Sequence, residues 1–314
     1  VIERIGPALV AHAPAKLNLG LEVLGLRADG YHDLATIFVA VEPTDRLSLT
    51  PAPAVDSPAG SRLAVDDPAL ADDDNLALRA LTLLADESMH GSGGDATFRL
   101  HLKKRIPVAA GLGGASSDAA AALRLGREFW RLPLTEVDLA ALALTLGSDV
   151  PFFLRGGCAL ATGRGERLDP LSPPVAAWFV IVAPDIAIPR KTATLYAALR
   201  ADDFSDGSRV LAQAARLQRG EPLDIDLLAN AFARPLCVLR PDLAELPVLM
   251  RRLGAPAAAV SGAGPSHYAV LQDPDEADRL ASRLEEALGN RARVFTSPPL
   301  PPHPSRGGAS GAGQ

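Results

Sequence analysis

The sequence predicts an α+β fold in which strands and helices fall into separate clusters. Three observations carry this. The first fifty residues are almost wholly strand-like, helical patterns then arrive in groups, and strand patterning restarts after Pro151. Regular βαβ proteins alternate the two element types instead. No repeat occurs at solenoid spacing.

In chain order, β-rich runs bounded by Pro, Gly and Asp occupy 8–13, 17–26, 35–41 and 46–50. The Pro- and Asp-rich stretch 51–74 reads as loop. Asp74 or Asn75 then caps a helix with apolar positions at Leu76, Leu78, Ala80, Leu81, Leu83 and Leu84. Residues 96–106 alternate as a half-buried strand, with Phe98, Leu100 and Leu102 on one side. After a glycine-rich loop come helices from Ser116 to about Trp130 and from Thr135 to about Leu146, the second with Asp138 completing a capping box. Strands follow at 158–162 and 176–183, then helices at about 190–200, 208–219, 225–232 and 242–253. Strands at 257–260 and 267–272, a helix at 275–288 and a strand at 293–297 complete the pattern. The expected division is an N-terminal unit at 1–157, a C-terminal unit at 158–297 and a disordered Pro/Gly/Ser-rich tail at 298–314.

Of the 314 residues, 48% are hydrophobic and 22% charged, an ordinary globular balance. A net charge of -6, with no basic face, argues against a nucleic-acid partner. Cys158 and Cys237 lie far apart in apolar settings and read as reduced thiols, and no metal-ligand spacing of Cys and His appears. The amino terminus lacks the pattern of a signal peptide, and the apolar windows are too short for a membrane helix. The expectation is a cytoplasmic protein with no membrane partner, monomeric or weakly dimeric.

The most informative segment is PVAAGLGGASSDAAAAL, residues 107–123. Gly111, Gly113 and Gly114, flanked by the small Ala109, Ala110 and Ala115, strip the loop of bulk so that backbone amides can approach a ligand. Ser116 and Ser117 open the helix that follows, and a helix amino terminus attracts anions. A bare glycine turn with a serine cap would look the same. The segment is neither a P-loop nor a dinucleotide fingerprint, because no Gly-Lys-Ser/Thr closes it and Ser116 stands where the last glycine would be. It reads as a triphosphate site of another lineage. Ser116, Ser117 and Asp118 are all conceivable neighbours of Mg²⁺, and none is singled out.

Phosphoryl transfer needs charge neutralisation, alignment and a group to receive the hydroxyl proton. Asp149, in LGSDVPFF, lies beyond a helix carboxyl end, where neither a helix dipole nor exposure would stabilise it, so it calls for a cationic partner. Lys16 is the only lysine in the first hundred residues and sits in an apolar, strand-like segment. An ordinary turn aspartate and an edge-strand lysine are the bland alternatives.

Three strings now stand in one order: APAKLNLGL near the start, PVAAGLGGASSDAAA in the middle, and AAVSGAGPSHYAVL at 258–271. In this the chain resembles the GHMP kinase superfamily over roughly residues 10–297. The string GLRADGYHDL, residues 25–34, narrows the resemblance to the 4-diphosphocytidyl-2-C-methyl-D-erythritol kinase family. The resemblance implies a two-lobed fold, with a nucleotide lobe like ribosomal protein S5 domain 2 and a ferredoxin-like substrate lobe. It implies ATP and Mg²⁺ as cofactors and a small cytidylyl alcohol as substrate, phosphorylated on its 2-hydroxyl in the non-mevalonate isoprenoid route.

Carried over by position, Lys16 and Asp149 are the catalytic pair. The segment from Pro107 through Ala109, Ala110, Gly111, Leu112, Gly113, Gly114 and Ala115 to Ser116 and Ser117 cradles ATP. Lys104 and Asn75 fall on its adenine side. Asn18, Tyr31, His32, Tyr196, Gly262 and Gly264 fall on the substrate side, with Tyr31 and Tyr196 covering the two faces of the cytosine. Ala115 stands where many relatives have another glycine, which a negative φ would tolerate. Ser266 and His267 also depart from the usual third motif and are expected to affect substrate detail. Other kinases of the superfamily, of mevalonate or homoserine type, share most of these motifs. A non-catalytic nucleotide-binding module would be expected to have lost Lys16 or Asp149.

Overall fold

The computed structural model describes residues 2–52, 63–66, 70–89 and 98–304. Among these, the first sheet contains β1 (Ile2–Ile5), β2 (Ala8–Leu26), β3 (His32–Pro51), β4 (Leu63–Val65), β5 (Phe98–Lys103), β6 (Cys158–Gly163) and β7 (Arg167–Leu171). Its order is β1-β2-β3-β5-β4, with β6 pairing β3 and β7. The expected pairs of short strands are two long ones, β2 and β3. Pro14 ends up inside β2 because the β2–β3 register shifts at Pro14/Ala15, where a missing N–H costs least. A second shift between Asn18 and Leu21 bends β2 beside the site described below.

One face of this sheet carries α1 (Leu76–Met89), α2 (Gly114–Phe129), α3 (Glu136–Leu146) and α4 (Val150–Arg155). The alanine run Ala119–Ala122 is buried, and its small side chains let α2 lie close to β2. The capping box of Thr135 and Asp138 opens α3 as expected. Helix α4 was not foreseen, since Pro151 reads as a breaker. It sits in the first turn of α4, where its missing donor is not needed.

The second sheet holds β8 (Trp178–Pro184), β9 (Ala259–Val260), β10 (His267–Leu271) and β11 (Ala292–Ser297) in the order β11-β8-β10-β9, all antiparallel. Period-two alternation sorts its faces. Val180 and Val182 meet α8 (Glu245–Arg252) and α9 (Pro274–Leu288). Phe179, Ile181 and Tyr268 point the other way and share a core with Leu17, Leu19, Ile37 and Val39 of the first sheet. This shared core locks the two sheets together. The boundary expected at 157/158 falls inside the first sheet, which β6 and β7 complete as far as Leu171.

Between the sheets run α5 (Lys191–Ala197), α6 (Ser208–Gln218) and α7 (Ala233–Leu239). The helix expected at 225–232 is only a 3₁₀ turn at Ile225–Leu227, and α7 starts later. The reason is tertiary: Leu21 takes a hydrogen bond from Ala231 and gives one to Ala229, which draws this stretch out as an extended partner of β2.

The tail also departs from expectation. Residues 298–304 lie along the molecule: the Leu300 amide donates to Ala40, the His303 amide donates to Arg155, and the Leu300 side chain packs on the first core. Residues 305–314, most of the loop expected at 51–74, and the first two residues of the strand expected at 96–106 lie outside the described residues. No helix among the described residues is long and apolar enough to cross a membrane.

Candidate active site

Two cavities meet at the glycine loop. The first, of about 380 Å³, is lined by Asn75, Lys104 and the whole run from Pro107 to Ser116, with Asp118 at its floor. The second, of about 570 Å³, is lined by Lys16, Asn18, Tyr31, His32, Asp149, Arg164, Lys191, Tyr196 and Gly262. Gly111 and Gly113 line both, so anything spanning the loop touches the two at once.

The loop can run there only because of its glycines. Gly111 has φ +85°, and a Cβ would lie 2.5 Å from the Ser261 carbonyl oxygen. Gly113 has φ +75°, and a Cβ would press on the Phe153 ring at 2.7 Å. Gly113, not a serine, is the N-cap of α2, and no side chain caps the helix. The first-turn amides are therefore left to a ligand at the cavity edge. Ala115 lies within α2 and has no positive φ, as its extra methyl requires. Ser117 lies beneath the loop and lines neither cavity; its hydroxyl and Asp118 Oδ1 are buried without a hydrogen-bond partner among the described residues.

Lys104 bridges two buried carboxylates under this floor, at 2.6 Å from Asp118 and closer to Asp45. Burial opposes its charge, but Asp118 and Asp45 outweigh that and raise its pKa. Burial, with Asp45 nearby, pushes the Asp118 carboxyl up, against the pull of Lys104. Asn75 caps α1 by accepting from the amides of Ala77 and Leu78, which fixes it at the cavity rim.

On the other side, β2 presents Lys16 and Asn18 on one face. Lys16 is 4% exposed, donates to Asn18 Oδ1, and lies 5.2 Å from the centre of the Phe38 ring. Asn18 donates in turn to Thr36, whose hydroxyl donates to the Gly20 carbonyl at the bend of β2. Asp149 Oδ2 stands 3.8 Å from Lys16 Nζ. Burial pulls the Lys16 pKa below its ordinary value, and Asp149 opposes that. The sequence reading of Asp149 needs correction: it occupies the N-cap of α4 and is 36% exposed along its side chain, so neither a helix amino terminus nor solvent is denied to it.

The aromatic arrangement also differs from expectation. Tyr196 stacks on His32, with centroids 4.7 Å apart and planes 22° apart. Tyr31 is 56% exposed, and the Arg164 guanidinium lies 4.7 Å from its ring centre. Gly262 lines the second cavity; Gly264 lines neither and packs beneath Leu236. Ser266 and His267, expected to touch substrate detail, are buried in and beside β10 and line neither cavity. Burial, against a hydrogen bond from the ring to the Pro265 carbonyl, lowers the His267 pKa to about 4. Sequence reasoning missed Thr36, Arg164 and Lys191. The Gly-Arg-Gly turn around Arg164 was a usable signal; Thr36 and Lys191 had none before the strands and loops were placed.

Two family models match the chain: GHMP kinases N terminal domain over residues 75–157, and GHMP kinases C terminal over 211–290. A 4-diphosphocytidyl-2-C-methyl-D-erythritol kinase of Dehalococcoides mccartyi is 37% identical over 289 residues, covering 92% of this chain and 98% of that protein. The chain belongs to the GHMP kinase family. A Thermus thermophilus protein of the same printed name is 41% identical over 273 residues, 87% of this chain and 91% of its own. A solved 4-(cytidine 5'-diphospho)-2C-methyl-D-erythritol kinase superposes with a TM-score of 0.73 at 37% identity, covering 92% of this chain and 98% of its own. A homoserine kinase from Cytophaga hutchinsonii, at 19% identity and a TM-score of 0.71 over 95% of this chain and 97% of its own, shows the same GHMP kinase fold. That fold is α+β and two-lobed, as the motifs implied.

Proposed function

We propose that this GHMP kinase transfers the γ-phosphate of ATP to the 2-hydroxyl of 4-diphosphocytidyl-2-C-methyl-D-erythritol, a step of the non-mevalonate isoprenoid route. One observation carries the reading: two cavities share a glycine loop, and the Lys16–Asp149 pair stands on the acceptor side of it. A triphosphate over Gly111–Ser116 would point its terminal group across the loop toward that pair. The hydroxyl oxygen forms the new P–O bond, the bond to the ADP bridging oxygen breaks, and the departing proton is taken or oriented by Asp149. Lys16, held by Asn18, which Thr36 holds in turn, offsets charge on the transferring oxygens. Fixing that ammonium before the ligand arrives spares reorganisation during the reaction.

ATP is expected with Mg²⁺. Asp118 lines the nucleotide cavity and keeps one carboxyl oxygen without a hydrogen-bond partner among the described residues, a hard donor of the kind magnesium accepts, so it would fit a metal-bound nucleotide; Ser117, beneath the loop, lines neither cavity. When bound, the ion would neutralise phosphate charge. On the acceptor side, His32, Tyr196 and Tyr31 offer aromatic faces suited to a pyrimidine, and stacking of this kind contributes about 1–3 kcal/mol per base. The reading extends to a cytoplasmic enzyme, monomeric or weakly dimeric, without nucleic-acid or membrane partners.

The test is ADP release from protein, ATP and Mg²⁺ with the cytidylyl alcohol, and in parallel with mevalonate and homoserine. Turnover confined to the cytidylyl alcohol is expected. Turnover only with another alcohol would keep the kinase and discard the cytosine pocket.

A further inference from the structure

Lys191 opens α5 at the seam of three segments. Its ammonium donates to the carbonyl of Ala109 in the glycine loop, at 2.5 Å, and to that of Gly264 in the third motif. These two segments already touch through backbone: the Ser266 amide donates to Ala110, and the Ser261 hydroxyl donates to Gly111. The chain bends sharply at both ends of the Lys191 contact, since Ala109 (φ 54°) and Arg190 (φ 48°) both adopt positive φ. Non-glycine residues are held there only where the surrounding structure over-determines the backbone.

Charge makes the placement informative. Lys191 pairs with no carboxylate among the described residues, only with neutral carbonyls. It lines the acceptor cavity together with Lys16, Arg164 and a single carboxylate, Asp149. A wall with three cations and one anion is matched to an anionic ligand. Gly111 and Gly113 border the same space, which puts Lys191 on the side where the nucleotide's terminal phosphate would emerge.

We propose that Lys191 is a second phosphate-contacting catalytic lysine, whose ammonium binds the transferring phosphoryl group and ties it to the seam of the glycine loop and the third motif. This rests on the kinase reading above and deepens it.

Burial, with the neighbouring Lys16 charge, lowers the Lys191 pKa to about 8. The titratable and charged groups facing the same space are Lys16, Tyr31, His32, Asp149, Arg164 and Tyr196. As pH rises past about 8, free-enzyme Lys191 loses its proton and its attraction for phosphate. The kcat/KM for ATP should therefore fall on an alkaline limb.

The experiment compares wild type, Lys191→Met and Lys191→Arg, with kcat and both KM values measured from pH 6 to about 10. Removing a preorganised donor of this kind costs roughly 10²–10³ in rate. Lys191→Met should lose about that factor in kcat/KM for ATP at an unchanged unfolding midpoint, and Lys191→Arg should recover most of it and abolish the limb near pH 8. Values within twofold of wild type for Lys191→Met would overturn the proposal. So would a loss confined to the KM of the cytidylyl acceptor, which would assign the ammonium to that molecule's diphosphate. Should Lys191→Met fail to fold, a limb persisting near pH 8 in Lys191→Arg overturns it equally. ATP affinity without acceptor, wild type against Lys191→Met, reads the lysine even where the acceptor has been misassigned. Failure of wild type to turn over the cytidylyl alcohol would sink only the functional reading.

Discussion

The two cavities that share the glycine loop are built in opposite ways. The nucleotide side is nearly one continuous stretch, Pro107–Ser116, supported by Lys104 and Asn75. The acceptor side is gathered from widely separated places, among them Lys16 and Asn18 on β2, Tyr31 and His32 at the β2–β3 turn, Asp149 at the start of α4, Arg164 between β6 and β7, Lys191 and Tyr196 on α5, and Gly262. A local loop is shaped by its own residues, whereas the dispersed wall depends on both sheets staying in register. Perturbations should accordingly act locally on one side and travel through the fold on the other.

The largest expected effect is at the junction. Asp149→Asn should lower kcat by roughly 10²–10⁴ with ATP affinity nearly intact, as expected for a group acting on the acceptor proton. A variant retaining a tenth or more of the activity would remove Asp149 from that role and weaken the contrast between the two sides.

The third motif straddles the contrast, with Gly262 at the cavity and His267 in the core. The folded-state pKa of His267, about 4, lies below its unfolded value of 6.5. Its contribution to stability is thus complete above pH 6.5 and is lost as pH falls toward 4, because the unfolded chain takes up the proton first. That difference amounts to on the order of 3 kcal/mol. Urea midpoints should fall over this window, and His267→Gln should flatten the fall; an unaltered slope would place the titration elsewhere.

Tyr196→Ala should raise the KM for the cytidylyl substrate by roughly five- to 150-fold, the range that stacking energies of about 1–3 kcal/mol allow, and leave the KM for ATP within twofold. Equal losses for both substrates would mean that the dispersed wall and the loop are mechanically coupled and not separable.

The smallest effect concerns the C-terminal strap. Ending the chain after Ser297 removes the Leu300 side chain from the first core and the backbone bonds to Ala40 and Arg155. Burial and hydrogen-bond terms of this size sum to about 1–3 kcal/mol, so Tm should drop by roughly 2–6 °C. An unchanged Tm would show that the strap adds nothing to the acceptor side, whose Asp149 precedes the helix it binds.

Much of the fold was legible because it rests on local physics. Alternation marked Phe98, Leu100 and Leu102, and the capping box of Thr135 and Asp138 placed the start of α3. The glycines of the loop and the lone early lysine marked both halves of the site. The misreadings have equally specific causes. Pro14 looked like a strand end until the register shift absorbed it, and Pro151 looked like a breaker though it begins a helix. Residues 229–231 carried a helical pattern that hydrogen bonds to Leu21 overrode. The stack of His32 on Tyr196 joins positions too far apart for any window to connect.

By itself, the sequence determined the α+β class, the three motifs in order and the glycine loop. Each of these depends on neighbours in the chain, through side-chain period, caps and backbone freedom. Tertiary structure alone decided that Lys16 and Asp149 come within 3.8 Å, that Lys191 reaches the loop from α5, and that His267 turns inward. Those outcomes depend on which apolar faces of the two sheets pair, a choice that burial settles over the whole molecule at once and that no short stretch of sequence contains.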